Sequence, residues 1–191
     1  YEKKALANRM DRPRTVGDIT EHFIKICPDR KAIAFATSVE HSIHIGERFN
    51  DAGIPAAHLD GKTPKAERDQ ILKDLASGKI QVLVNCMVLT EGFDCPSVSC
   101  IILASPTKSL GRYLQMAGRG LRPNDDKINC IIIDHSGAVY QHGFVEDDQE
   151  WSLDPQERIE DRQAQTKREK ADPITCGECK FIYEGRPDCP K

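Results

Sequence analysis

Four short, uninterrupted aliphatic runs constrain the fold of this chain more than any other feature. They lie at residues 31–36, 81–86, 99–104 and 128–134, reading KAIAFA, QVLVNC, SCIILA and INCIIID. Each is strand-length, β-branched, and continuous rather than alternating. That pattern belongs to strands buried on both faces of a parallel sheet covered by helices.

Helical patterns fill the gaps. Ser38 predicts an N-cap for a helix running to about Asn50, with Val39, Ile43, Gly46 and Phe49 inward and Gly53 as a left-handed C-terminal stop. A second helix starts near Pro64, a favoured first-turn proline. It turns Ile71, Leu72 and Leu75 inward and closes at Gly78. A further helix spans about 16–26, with Ile19, Phe23, Ile24 and Cys27 as its stripe. Strand alternating with helix predicts an α/β layered fold. The pattern stops near residue 153. Residues 155–173 carry five acidic and five basic side chains, with only Ile159, Ala164 and Ala171 apolar, so they cannot build a core. The expected organisation is a domain over 1–153, a charged linker or exposed helix over 154–173, and a cysteine-bearing tail over 174–191.

With 191 residues, 39% of them hydrophobic, the chain suffices for one ordinary domain plus an appendage. No apolar run is long enough to span a membrane and no signal peptide is visible, so no membrane partner is expected. The start at Tyr1 rather than methionine suggests a fragment or processed chain with further sequence upstream. A net charge of −3 gives no support to nucleic-acid binding by bulk charge, which would need a local basic track. Cys27, Cys86, Cys95, Cys100 and Cys130 sit among apolar runs and read as small buried residues of a reducing, cytoplasmic compartment.

The segment YLQMAGRGLRP, residues 113–123, is the richest in chemistry. Leu110, Tyr113, Leu114 and Ala117 form one helical face, while Gln115, Arg119 and Arg122 share the opposite one. Gly118 and Gly120 keep bulk away from a close approach, and Pro123 stops the run. Arginine suits phosphate because its planar fork binds two oxygens and stays charged. The plainer alternative is a solvated basic helix end.

Two other segments stand out. Residues 56–63 fit a relaxed P-loop spacing, but His58 and Leu59 read as a short strand, and an ordinary strand-to-helix turn at Gly61 and Lys62 is the better reading. Residues 89–96, LTEGFDCP, follow a buried strand at its carboxyl end, where open α/β sheets bind ligands. There Thr90 offers a hydroxyl, Gly92 allows close backbone approach, and Asp94 can accept from a ribose or hold an arginine. In the tail, Cys176 and Cys179 form a Cys-x2-Cys knuckle followed by Cys189, half to three-quarters of a zinc ribbon. A fourth ligand is expected after Lys191. Asp134, His135 and His142 read as strand-end and loop residues, and Trp151 and Leu153 as packing.

Taken together, Ala34 to Ser38, His58 to Thr63 with Arg68, Thr90 to Asp94, and Gln115 to Arg122 resemble motifs IV, IVa, V and VI of superfamily-two helicases. The resemblance covers about residues 15–135 and is nearest the branch of repair-type DNA translocases, restriction-enzyme motors and phage helicases. It implies a C-terminal RecA-like domain, a parallel sheet sandwiched by helices. By that resemblance Arg119 and Arg122 match arginines that reach the ATP phosphates. Gly92, Asp94 and Gln115 match nucleotide-facing positions. Thr37, Gly61, Lys62, Arg68 and Thr90 match positions that grip a nucleic-acid strand, DNA in preference to RNA. Met116 and Leu121 depart from the strict RNA-helicase form. No credible P-loop and no Asp-Glu pair for Mg2+ is present. ATP and Mg2+ chemistry is therefore expected only in a full-length protein with a preceding RecA-like domain, and Zn2+ in the tail. The alternative is a non-catalytic helicase-like module that binds nucleic acid or protein.

Overall fold

The computed structural model describes residues 5–6, 10–11, 13–86, 94–149, 173–179, 181–184 and 189. They fall into two compact units, Tyr1–Ser136 and Gly137–Lys191. The first holds strands β1 (Ala32–Phe35), β2 (Ala56–Leu59), β3 (Val82–Asn85), β4 (Cys100–Leu103) and β5 (Ile131–Asp134). Its helices are α1 (Pro13–Ile26), α2 (Val39–Asp51), α3 (Lys65–Ser77) and α4 (Leu110–Gly118). The strands form one five-stranded sheet in the order β2-β3-β1-β4-β5, every pairing parallel. This is the RecA-like α/β architecture that the continuous runs imply.

Side chains alternate across the sheet, and both faces are dry. On one face Ala32, Ala34, Val82, Val84, Cys100 and Ile102 cluster with Ile19, Phe23 and Cys27 and with Ile45 and Phe49 of α2. Alanines on the central strand let both helices lie close. Phe23 and Phe49 meet edge-on, ring centroids 5.4 Å apart, and each contributes roughly 1.5–3 kcal/mol through burial. On the other face Ile33, Leu83, Ile101 and Leu103 are fully buried, and α4 packs against β4.

Several sequence expectations need correction. Val39 and Ile43 are exposed, because the inward face of α2 is His41, Ser42, Ile45, Gly46 and Phe49. Two of these are polar, so a search for apolar periodicity rotates the helix the wrong way. Each makes a hydrogen bond there: His41 Nδ1 lies 2.9 Å from Thr37 Oγ1, and Ser42 Oγ lies 2.7 Å from His58 Nδ1. Ile24 is likewise exposed, with Thr20 buried beside Ile19 and Phe23 instead. In α3 only Leu75 is fully buried, Ile71 and Leu72 are half-buried, and Pro64 is the N-cap rather than a first-turn residue. The last strand starts at Ile131, not Ile128, which is fully exposed in the preceding turn. Gly53 has the left-handed conformation expected, φ 78°, and Gly78 closes its helix in the same conformation at φ 84°.

The second unit contains a short helix, α5 (Ala138–His142), and an antiparallel pair, β6 (Ile174–Thr175) with β7 (Ile182–Tyr183). Trp151, Leu153 and the charged segment 154–172 lie outside the described residues. Among the described residues no helix is long and apolar enough to cross a membrane.

Candidate functional site

Helix α4 carries the arginine segment. Ser109 caps it, its Oγ accepting from Arg112 N at 3.3 Å, and Leu110, Tyr113, Met116 and Ala117 face inward while Leu114 is half-buried. Gln115 is exposed and Arg119 half-buried. The helix ends at Gly118, and the amides of Arg119, Gly120 and Leu121 then bond the carbonyls of Met116, Ala117 and Gly118 in tighter i to i−3 steps. Arg122 therefore projects from this turn, not from the shared helical face that the wheel predicts. The two glycines also differ from expectation. A Cβ at Gly120 would lie 2.4 Å from Cys130 Sγ and 2.6 Å from Ile101 Cγ1, so the sheet itself makes the close approach there. A Cβ at Gly118 would meet nothing within 4 Å.

Asp94 and Arg122, from separate segments, form an ion pair between Asp94 Oδ1 and the Arg122 guanidinium. Asp94 is 70% exposed at its side chain, so the pair contributes only about 0–1 kcal/mol and can exchange partners. Asp94 lies at the far end of the connection leaving β3, just ahead of β4. Thr90 and Gly92, on the same connection, lie outside the described residues. Sequence reading missed Lys127 beside this pair. Its Nζ donates to the carbonyls of Pro96, Val98 and Gly120 at 2.9, 3.1 and 3.0 Å. Lys127 follows Asp125 and Asp126 in a polar turn, where nothing distinguishes it from a solvated lysine.

A second group sits at the carboxyl ends of β1 and β2. Thr37 follows β1, and both its amide and its hydroxyl meet His41 Nδ1, at 3.3 and 2.9 Å. The amide donates, so Nδ1 is the acceptor and the ring proton lies on Nε2, which is buried without a partner. Burial pushes the His41 pKa down to about 4, with Asp11 opposing and His44 assisting. After β2, Asp60 Oδ1 accepts from the amides of Lys62 and Thr63 at 2.8 and 3.0 Å, and the Lys62 amide foremost holds the carboxyl below its usual range. Those amides are thus committed within the turn, which is why residues 56–63 cannot wrap a phosphate as a P-loop does. Gly61 and Lys62 are exposed. Arg68, in the first turn of α3, is half-buried, its Nε lacking a hydrogen-bond partner. The two loops are joined through α2, since His41 holds Thr37 while its neighbour Ser42 holds His58, itself 3.6 Å from Asp60.

Asp134 and His135 behave as strand-end residues. Asp134 Oδ1 accepts from Ser136 N and Oγ at 2.9 and 2.7 Å, and His135 stacks on His22 with centroids 5.0 Å apart. In the second unit, the sulfurs of Cys176, Cys179 and Cys189 lie within 4.8 Å of one another. The amides of Cys179 and then Glu178 lower the Cys176 pKa to about 7. Three converging soft ligands, one already disposed to ionise, fit a zinc ion.

Comparison with known proteins matches residues 16–124 to the family described as the helicase conserved C-terminal domain. A Lactococcus phage protein of 51.5 kDa is 41% identical over 135 residues, 71% of this chain and 30% of that protein. A Schizosaccharomyces pombe protein, provisionally named mitochondrial ATP-dependent helicase irc3, is 32% identical over 173 residues, 90% of this chain and 28% of that one. The chain thus spans about a third or less of these relatives' length. Among solved structures, the Escherichia coli DEAD-box protein SrmB matches at TM-score 0.57 and 24% identity, covering 71% of this chain and 79% of that one, which is a likeness of fold.

Proposed function

This chain belongs to the helicase conserved C-terminal domain family, in superfamily two, and from that premise we propose that it is the C-terminal motor half of an ATP-dependent nucleic-acid helicase or translocase. In this reading Arg119 and Arg122 stabilise charge on the transferring phosphoryl group of an ATP held by a preceding RecA-like domain. Gly92, Asp94 and Gln115 face the same nucleotide. Thr37, Gly61, Lys62, Arg68 and Thr90 hold the phosphates of one strand. The preceding domain supplies the P-loop and the Mg2+ ligands, neither of which this chain contains, and closure and opening of the two domains moves the strand. DNA is preferred to RNA, on the strength of the GRGLR form and of Met116 and Leu121. The setting is a reducing, cytoplasmic compartment.

The observation that carries this reading is the Asp94–Arg122 pair, which joins two segments, far apart in the chain, that the resemblance assigns to the nucleotide. Arginine supplies a permanent charge there, and an exposed carboxylate is a partner that phosphate can displace. The test is Arg119→Ala in the full-length protein. Nucleic-acid-stimulated ATP hydrolysis should fall at least about 1000-fold while strand binding persists. Undiminished hydrolysis would leave the non-catalytic binding module as the reading.

Cys176, Cys179 and Cys189 hold a structural zinc ion with one further ligand. Zinc would tie β6, β7 and the tail together, with no part in the ATP chemistry. Metal analysis of the full-length protein should return one zinc per chain, lost in Cys176→Ser with Cys179→Ser.

A further inference from the structure

Three carbonyl oxygens converge on one point in the first unit. Those of Pro96, Val98 and Gly120 all lie within 3.1 Å of Lys127 Nζ. Oxygens so placed repel one another unless a cation sits between them. An ammonium group has three N–H donors and no acceptor, so this arrangement uses every donor that Lys127 possesses. The lysine is set by its own turn, with Lys127 N donating to Asn124 O at 3.0 Å and Asp126 N to Asn124 Oδ1 at 3.0 Å.

The three carbonyls belong to two segments. Pro96 and Val98 follow Asp94, while Gly120 separates Arg119 from Leu121 and Arg122. Gly120 is already pinned against Cys130 and Ile101 by the absence of room for a Cβ. The same two segments also meet through Asp94 and Arg122. These ties differ in kind: the ion pair is exposed and can exchange, whereas the ammonium is half-buried and fully satisfied by backbone.

We infer that Lys127 is a positioning residue, whose ammonium locks the Asp94 segment to the Arg119–Arg122 turn so that the arginines are aimed while Arg122 stays able to leave Asp94 for phosphate. The inference rests on the motor reading above. Lysine is specific for the task. The planar fork of arginine cannot direct three donors from one nitrogen at converging oxygens.

The test uses the full-length protein. Lys127→Met, which keeps the aliphatic stem, should lower nucleic-acid-stimulated kcat about 10- to 100-fold, the scale expected from a misplacement near 1 Å. Strand affinity should fall far less than kcat, since the Thr37 and Lys62 loops lie on other strands and only Thr90 shares the Asp94 connection. Lys127→Arg should not restore kcat. Lys127→Ala should be partly rescued by ethylammonium and not by tetramethylammonium, which carries the charge without N–H donors. Hydrogen exchange in Lys127→Met should accelerate over residues 95–98 and 119–122 and nowhere else.

Equal rescue by the two cations, wild-type kcat in Lys127→Met, or exchange that rises throughout the domain or not at all would overturn the inference. Arg119→Ala in parallel separates the two claims. If it retains hydrolysis, the motor reading fails and the exchange pattern alone decides the role of Lys127. If it loses hydrolysis while Lys127→Met does not, only the inference fails.

Discussion

A methyl group added at Gly120 would press on Cys130 and Ile101, and one added at Gly118 would meet open space. Gly120→Ala should therefore destabilise the domain by about 1–3 kcal/mol through overpacking. Gly118→Ala, at the end of a helix, should be neutral or stabilise it by up to about 1 kcal/mol. Urea midpoints of the two variants check both signs. Histidines supply a second residue-scale prediction. Burial pushes the pKa of His41 and of His135 down to about 4 from an ordinary value of 6.5, with His22 adding to the shift at His135. Their neutral forms support the fold fully above pH 6.5, and that support is lost as pH falls towards 4, because the unfolded chain takes up protons first. His41 alone contributes up to about 3 kcal/mol of this loss. His44, raised by Asp11, works the other way but is exposed and counts for little. The urea midpoint should drop between pH 7 and pH 4.5, and His41→Asn should flatten the drop. A midpoint equally pH-dependent in His41→Asn would contradict this.

At the scale of elements, the strands were legible and the helix faces only partly so. Continuous aliphatic runs mark β1, β3 and β4, which are buried along their whole length, and β5, an edge strand that keeps an aliphatic run although only Ile133 is buried. β2 is an edge strand with only Leu59 fully buried, so its signal is a short Ala-Ala-His-Leu string that a P-loop pattern can overlap. In α2 the misreading of Val39 and Ile43 follows from two buried polar residues, His41 and Ser42, which apolar periodicity cannot see and which hydrogen bonds at His41 Nδ1 and Ser42 Oγ help to accommodate. The corrected face has a direct consequence. Ile45→Ala should cost about 2–5 kcal/mol, whereas Ile43→Ser, two residues away on the exposed side, should cost under about 0.5 kcal/mol. Equal losses in thermal or urea unfolding would restore the apolar-periodicity face.

Across the whole molecule, the candidate residues fall into two groups. Thr37, Gly61 and Lys62 follow the carboxyl ends of β1 and β2, while Asp94, Arg119 and Arg122 precede β4 and β5. The sequence motifs were readable because each is local. The ties between them were not: Lys127 reaching three carbonyls, and Ser42 linking α2 to His58, join residues far apart in the chain and carry no pattern along it. Arg122 was legible as a charge but misplaced on the helix, because the wheel assumes that α4 continues past Gly118. The central claim is that the arginines act on the transition state of phosphoryl transfer rather than on nucleotide binding in general. The most direct measurement compares the affinity of the full-length protein for ADP with aluminium fluoride, a mimic of that state, against its affinity for ATP. Arg119→Ala should weaken the mimic by about 100-fold or more while weakening ATP by less than about tenfold. Equal weakening of both, or of neither, would contradict the account.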